Sequence, residues 1–99
     1  MSKKLIFKEE DIFKKNPKIQ DIKTEEGIII SPLNTKNECI YYLDNEVSFR
    51  IWELINGKNT LGTIKESLVK EFNVDEDTLK KDLKNFIQDL YHKKIILKC

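Results

Sequence analysis

An α+β fold, with an N-terminal three-stranded antiparallel sheet followed by three helices, is predicted by a change of hydrophobic rhythm along the chain. Up to about residue 43 the apolar residues fall in short runs separated by turn residues; from about residue 46 they recur at helical spacing. With 99 residues there is room for one domain and one core, and the 39% of hydrophobic residues is enough to fill it.

The sheet comes first. Ile19 to Thr24 ends at Glu25-Glu26-Gly27, and Ile28-Ile29-Ile30-Ser31 follows at once, the pattern of a hairpin with glycine at its turn. A second turn region over residues 32–37 leads into Glu38-Cys39-Ile40-Tyr41-Tyr42-Leu43, rich in strand formers. The first helix starts at Asp44-Asn45, either of which can cap it, and sets Val47, Ile51, Leu54 and Ile55 on one face before Asn56-Gly57 stops it. Thr60 caps a second helix carrying Ile64, Leu68 and Phe72. Asp75 caps a third, where Glu76 and Asp77 suit the positive end of the dipole and Val74 is placed to staple onto Leu79. Its core stripe is Leu79, Leu83, Phe86, Ile87 and Leu90, and it ends near His92-Lys93-Lys94. Ile95-Ile96-Leu97 reads as a short terminal strand or a cover for the core. Residues 1–15, with Leu5-Ile6-Phe7 and Ile12-Phe13 around a charged segment, read as a strand, a helical turn or an N-terminal arm ahead of the domain over 16–99.

Composition narrows the function. Lys+Arg 18 against Asp+Glu 17 argues against a strongly basic nucleic-acid binder, and no apolar run approaches the roughly 20 residues of a membrane span. No secretory signal is evident, so the expected location is cytoplasmic, with no membrane partner. Cys39 and Cys99 sit far apart, and His92, the single histidine, reads as a solvated dipole partner at a helix end. With no phosphate loop, nucleophile elbow or zinc helix, the chain is expected to be neither an enzyme nor a metal or cofactor binder.

Strands followed by three helices, the last the longest, suggest a winged helix-turn-helix, most often a DNA-binding arrangement. Yet Asp75, Glu76, Asp77, Asp82 and Asp89 outnumber Lys80, Lys81, Lys84 and Lys93 along the last helix, and the end that would meet the groove is acidic. A DNA-binding regulator is therefore the alternative reading. The third strand offers another use: Cys39, Ile40, Tyr41 and Tyr42 form an apolar, aromatic row at an open sheet edge that can accept a peptide strand. Beside the core stripe of the last helix run Lys80, Lys84, Ile87 and Tyr91, whereas the other flank is Thr78, Asp82, Asn85 and Asp89. A groove between the third strand and the lysine-and-tyrosine flank would hold an extended acidic peptide; a covered sheet with solvated lysines fits the same pattern. Self-pairing of the edge into a dimer is a third option.

The stretch from Asn45 to Leu61, above all Ile51-Trp52 and the Asn56-Gly57 before a Thr60-capped helix, resembles the helix-then-turn signature of PqqD-like proteins, named for coenzyme pyrroloquinoline quinone biosynthesis protein D. Lys15-Asn16-Pro17, the segment Glu71 to Asp75, and Asp82 to Leu90 are similar in order and spacing, so the resemblance spans roughly residues 14 to 97. It departs at Asp44-Asn45, where the family usually has Leu-Asn. A one-residue shift or bulge at the strand end would reconcile this and leaves the facing of Tyr41 against Tyr42 open. It departs again at Lys93-Lys94, where the family commonly has glycine. The resemblance implies a recognition element for ribosomally synthesised, post-translationally modified peptides: a peptide chaperone that binds the leader of a precursor peptide as an added strand beside the third helix and presents it to a modifying enzyme, often a radical S-adenosylmethionine protein. Its partners would be that peptide and that enzyme, with the chain itself a monomer or weak dimer.

Overall fold

Turn and cap chemistry fixes the element boundaries in the computed structural model, which describes residues 7–34 and 38–99. The chain runs β1 (Phe13–Lys15), β2 (Ile19–Lys23), β3 (Ile28–Pro32), β4 (Tyr41–Leu43), α1 (Glu46–Leu54), α2 (Leu61–Phe72), α3 (Glu76–His92) and β5 (Ile96–Lys98). Among the described residues it is an α+β structure with three helices and two antiparallel sheets, β2-β3-β4 and β1-β5. The three-stranded sheet and three helices follow the sequence pattern, but the order differs from sheet-then-helices, since one strand precedes the sheet and another follows the helices. β1 and β5 pair across the whole chain, Phe13 opposite Lys98. Within the segment 1–15, β1 occupies Phe13–Lys15, and residues 1–6 lie outside the described residues.

Each helix is capped by the residue type the physics favours. Asn45, rather than Asp44, accepts from the Ser48 amide at 2.8 Å, Thr60 from Thr63 at 3.1 Å and Asp75 from Thr78 at 3.0 Å. The second helix gains more: its Leu61 and Gly62 amides donate to the carbonyls of Asp11 and Glu9, so the N-terminal segment satisfies donors that helix geometry leaves orphaned. The α3 end is a Schellman motif. The Ile95 amide donates to Leu90 O at 2.9 Å and Lys94 to Tyr91 O at 3.0 Å, with Lys94 in the left-handed region at φ 60°.

The core gathers Trp52, Phe13, Ile30, Leu43, Ile64, Leu68, Ile87 and Leu90, all at most 1% exposed. Trp52 also keeps a polar tie: its Nε1 donates to Asp21 Oδ2 at 2.9 Å, joining α1 to β2, while the Lys15 ammonium lies 4.7 Å over its ring. Arg50 grips Glu71 with two nitrogens, at 2.9 to 3.1 Å, and so ties α1 to α2.

Candidate peptide-binding groove

Among the described residues β4 is the outer strand of its sheet, paired on one side with β3 in the register Ile28–Leu43, Ile29–Tyr42 and Ile30–Tyr41. It is shorter than the expected strand over 38–43. The Ile40 amide donates to Ile30 O at 2.9 Å although Tyr41 is the residue opposite Ile30, so two residues face one and the ladder ends in a bulge. The bulge lies at the start of the strand, not at the end where the departure at Asp44-Asn45 pointed. Gly27 shows which way the backbone turns at the other end: a Cβ there would run into the Leu43 carbonyl oxygen, which therefore points at β3. By the alternation of an antiparallel ladder, Tyr42, next along the strand, directs its N–H and C=O to the free side.

The facing of the tyrosines follows from the pleat. Leu43 is 1% exposed in the core and Tyr41 leans to the same face, whereas Tyr42 is 42% exposed on the other, its phenol over Gly27. Tyr41 meets α3 edge to face with Phe86, ring centroids 6.0 Å apart, and Lys93 sits 5.9 Å over its ring. Burial, with the Asp89 carboxylate beside it adding to the effect, raises the Tyr41 hydroxyl pKa to about 12. For Asp89 itself burial pushes upward, but Tyr41, Lys93 at 3.1 Å and His92 outweigh it and hold the carboxylate below its ordinary value.

Two hollows meet at Phe86. One, beside the C-terminal half of α3, runs between Tyr41, Asn85, Asp89 and His92. The other, about 380 Å³, lies between the start of α1 and the first turns of α3, with Val47, Ile51, Leu79 and Phe86 as its apolar lining and Asn45 and Asp82 as polar groups. Together they make a groove along the Thr78–Asp82–Asn85–Asp89 flank, open toward β4.

The expected site residues therefore divide. Ile40, Tyr41 and Tyr42 lie on or at β4, and Cys39, exposed just before it, turns its thiol to Tyr41 O at 3.3 Å. Lys80, Lys84, Ile87 and Tyr91, expected beside that strand, lie among other neighbours. Lys80 and Lys84 line a separate hollow with Phe7, Leu61 and Lys65; Ile87 is 0% exposed inside the core; Tyr91 packs edge to face on Phe7 and Phe13 at 5.7 and 6.0 Å. The groove residue that pattern reading missed is Phe86, assigned wholly to the core stripe although it is only partly buried. Its place at the border of the core stripe and the polar flank was the available signal. Among the described residues no cluster of His, Cys, Asp and Glu is arranged to hold a metal ion, and no helix is long and apolar enough to cross a membrane.

An open strand edge thus lies beside a partly apolar helix groove. The family model described as coenzyme PQQ synthesis protein D (PqqD) matches residues 36–96, which holds β4, all three helices and the first residue of β5. The chain belongs to the PqqD family. No curated protein and no solved structure is significantly similar to it.

Proposed function

We propose that this protein is a recognition element that binds the leader segment of a ribosomally synthesised precursor peptide by strand addition to β4. It then presents the peptide to a modifying enzyme of the radical S-adenosylmethionine class in the cytoplasm. The observation that carries this reading is the free side of β4, with the Tyr42 backbone turned outward beside the Phe86 groove. Membership of the PqqD family supports it. So does a winged helix-turn-helix reading of the fold, with α2 and α3 joined by the short turn at Asn73–Asp75 and the β2-β3-β4 sheet alongside.

Backbone pairing on β4, through the outward N–H and C=O of Tyr42, supplies affinity with little regard to sequence, and an apolar leader side chain seated on Phe86 supplies register. Asp82, together with Asn85, gives this flank an acceptor character. The leader is therefore one that offers lysine or arginine here, in place of the acidic residues that Lys80 and Lys84 would have selected. The chain contributes no chemistry of its own; holding substrate next to the enzyme raises effective concentration. Duplex DNA fits less well, because the exposed first turn of α3 carries Glu76 and Asp77.

The test is calorimetric titration with a synthetic leader from a short precursor encoded beside this gene, alongside versions N-methylated one residue at a time. Strand addition predicts loss of binding at alternate positions over four to six residues, roughly the period-2 pattern of a ladder. Uniform tolerance of N-methylation would contradict it.

A further inference from the structure

The face of α3 turned away from β4 carries a second feature that leader binding does not use. Lys80 and Lys84 border a hollow of about 60 Å³ floored by Phe7, Leu61 and Leu83, and Lys8 closes its rim. That volume admits one side chain rather than a folded element. Lys65, at the same rim, is matched by Glu9 at 2.6 Å and Glu76 at 3.3 Å. Lys80 is near enough to help hold the Glu9 carboxylate below its ordinary value, after the larger effect of Lys65. Among the described residues Lys8, Lys80 and Lys84 form no ion pair, so the rim keeps a positive excess around an apolar socket.

We propose that this socket docks an acidic segment of a partner protein, with one apolar side chain between Phe7, Leu61 and Leu83 and flanking carboxylates on Lys8, Lys80 and Lys84. Charge complementarity selects that occupant. A nucleic-acid backbone is a poorer match, because Glu9 and Glu76 stand at the same rim and a phosphate chain offers nothing for the socket. The partner is distinct from the leader, since the two surfaces lie on opposite flanks of one helix. If the partner is the modifying enzyme, a step that rests on the function proposed above, α3 holds substrate on one side and enzyme on the other.

The probe is a capped nine-residue peptide with one phenylalanine between four glutamates on each side, titrated into labelled protein while amide shifts are followed. Saturable shifts at Leu61, Lys65, Lys80, Leu83 and Lys84, absent from residues 40–43, are expected. They should be lost when serine replaces the phenylalanine, and weakened about tenfold in the Lys80→Glu/Lys84→Glu variant, where two rim charges are reversed. Both lysines are exposed, and an unchanged thermal midpoint verifies folding; Lys80→Gln/Lys84→Gln serves as the milder version. No saturable shift, or equal shifts with the serine peptide, overturns the proposal, as does a short DNA duplex that competes for the same amides. The leader separates the two proposals. Its affinity should stay within about twofold in the double variant, and a tenfold loss would put the lysines in the leader site and overturn the assignment of two surfaces.

Discussion

Replacing Lys94 by glycine should stabilise the protein. Lys94 holds φ 60° at the residue after the α3 cap, with its amide on Tyr91 O and the following Ile95 amide on Leu90 O. A residue with a Cβ loses about 1–2 kcal/mol in the left-handed region, and glycine gives back about 0.5–1 kcal/mol through its freer unfolded chain. The net gain is about 0.5–1 kcal/mol, or roughly 2–8 °C in Tm for a domain of this size. Removing an exposed cation near the helix C-terminus subtracts a few tenths, so Lys94→Ala is the control: it loses the same charge but keeps the Cβ. Urea titration of the three proteins reads the result, with Gly more stable than Ala by about 1 kcal/mol at an unchanged m value. The hydrophobic contact that accompanies such a cap, Leu90 with Ile95, is buried at 0% exposure on both sides and is untouched by either change. Equal midpoints for Gly and Ala, or a less stable Gly variant, would refute the Schellman assignment and with it the register in which α3 hands over to β5.

Gly27→Ala should cost about 2–3 kcal/mol, because its Cβ meets the Leu43 carbonyl, a backbone atom, and β4 must move; circular dichroism melts give the number, and leader affinity should fall further than stability alone explains. Phe86→Ala removes an edge-to-face pair worth about 0.5–1.5 kcal/mol of stability and should weaken the leader about tenfold by calorimetry. Glu9, Glu71, Asp75 and Asp89 all have native pKa values held below ordinary, so their stabilisation is present above the unfolded carboxylate range near 4 and is lost as pH falls through the lower native values; the urea midpoint should drop below about pH 4. Tyr41 acts in the opposite direction. Its raised pKa stabilises the fold below pH ~10 and that contribution goes as pH rises toward about 12, which absorbance of tyrosinate would follow.

What the sequence made legible is what is local. Asn45, Thr60 and Asp75 announce their helices because a cap is decided within four residues, and Leu79, Leu83, Ile87 and Leu90 of the α3 stripe are buried as their spacing implies. Pairings between distant residues were not legible in the same way. Phe13 opposite Lys98 and the donation of the Leu61 and Gly62 amides to residues 9 and 11 depend on where the chain ends meet, which no period records. The two flanks of α3 differ only in which neighbour each one faces. Periodicity places Lys84 and Asp82 on opposite sides of the stripe, but whether β4 or the N-terminal segment lies beside each is set by the handedness of the α1–α2–α3 path. The lysine flank was matched to β4 on charge and aromatic content, and the structure puts Phe7, Leu61 and Lys65 there instead. The bulge at Ile40 was equally hidden, since residues 38–43 read as one uniform run of strand formers.

The central claim is that β4 and the Phe86 flank of α3 receive a leader strand. Its most direct test is an amide-shift titration of labelled protein with the synthetic leader of a neighbouring precursor. Saturable shifts confined to residues 38–43 and to the flank at Asp82, Asn85, Phe86 and Asp89, with affinity from submicromolar to micromolar, are what the account predicts. Shifts that spare β4, or that arise only on adding duplex DNA and fade steeply with salt, would contradict it.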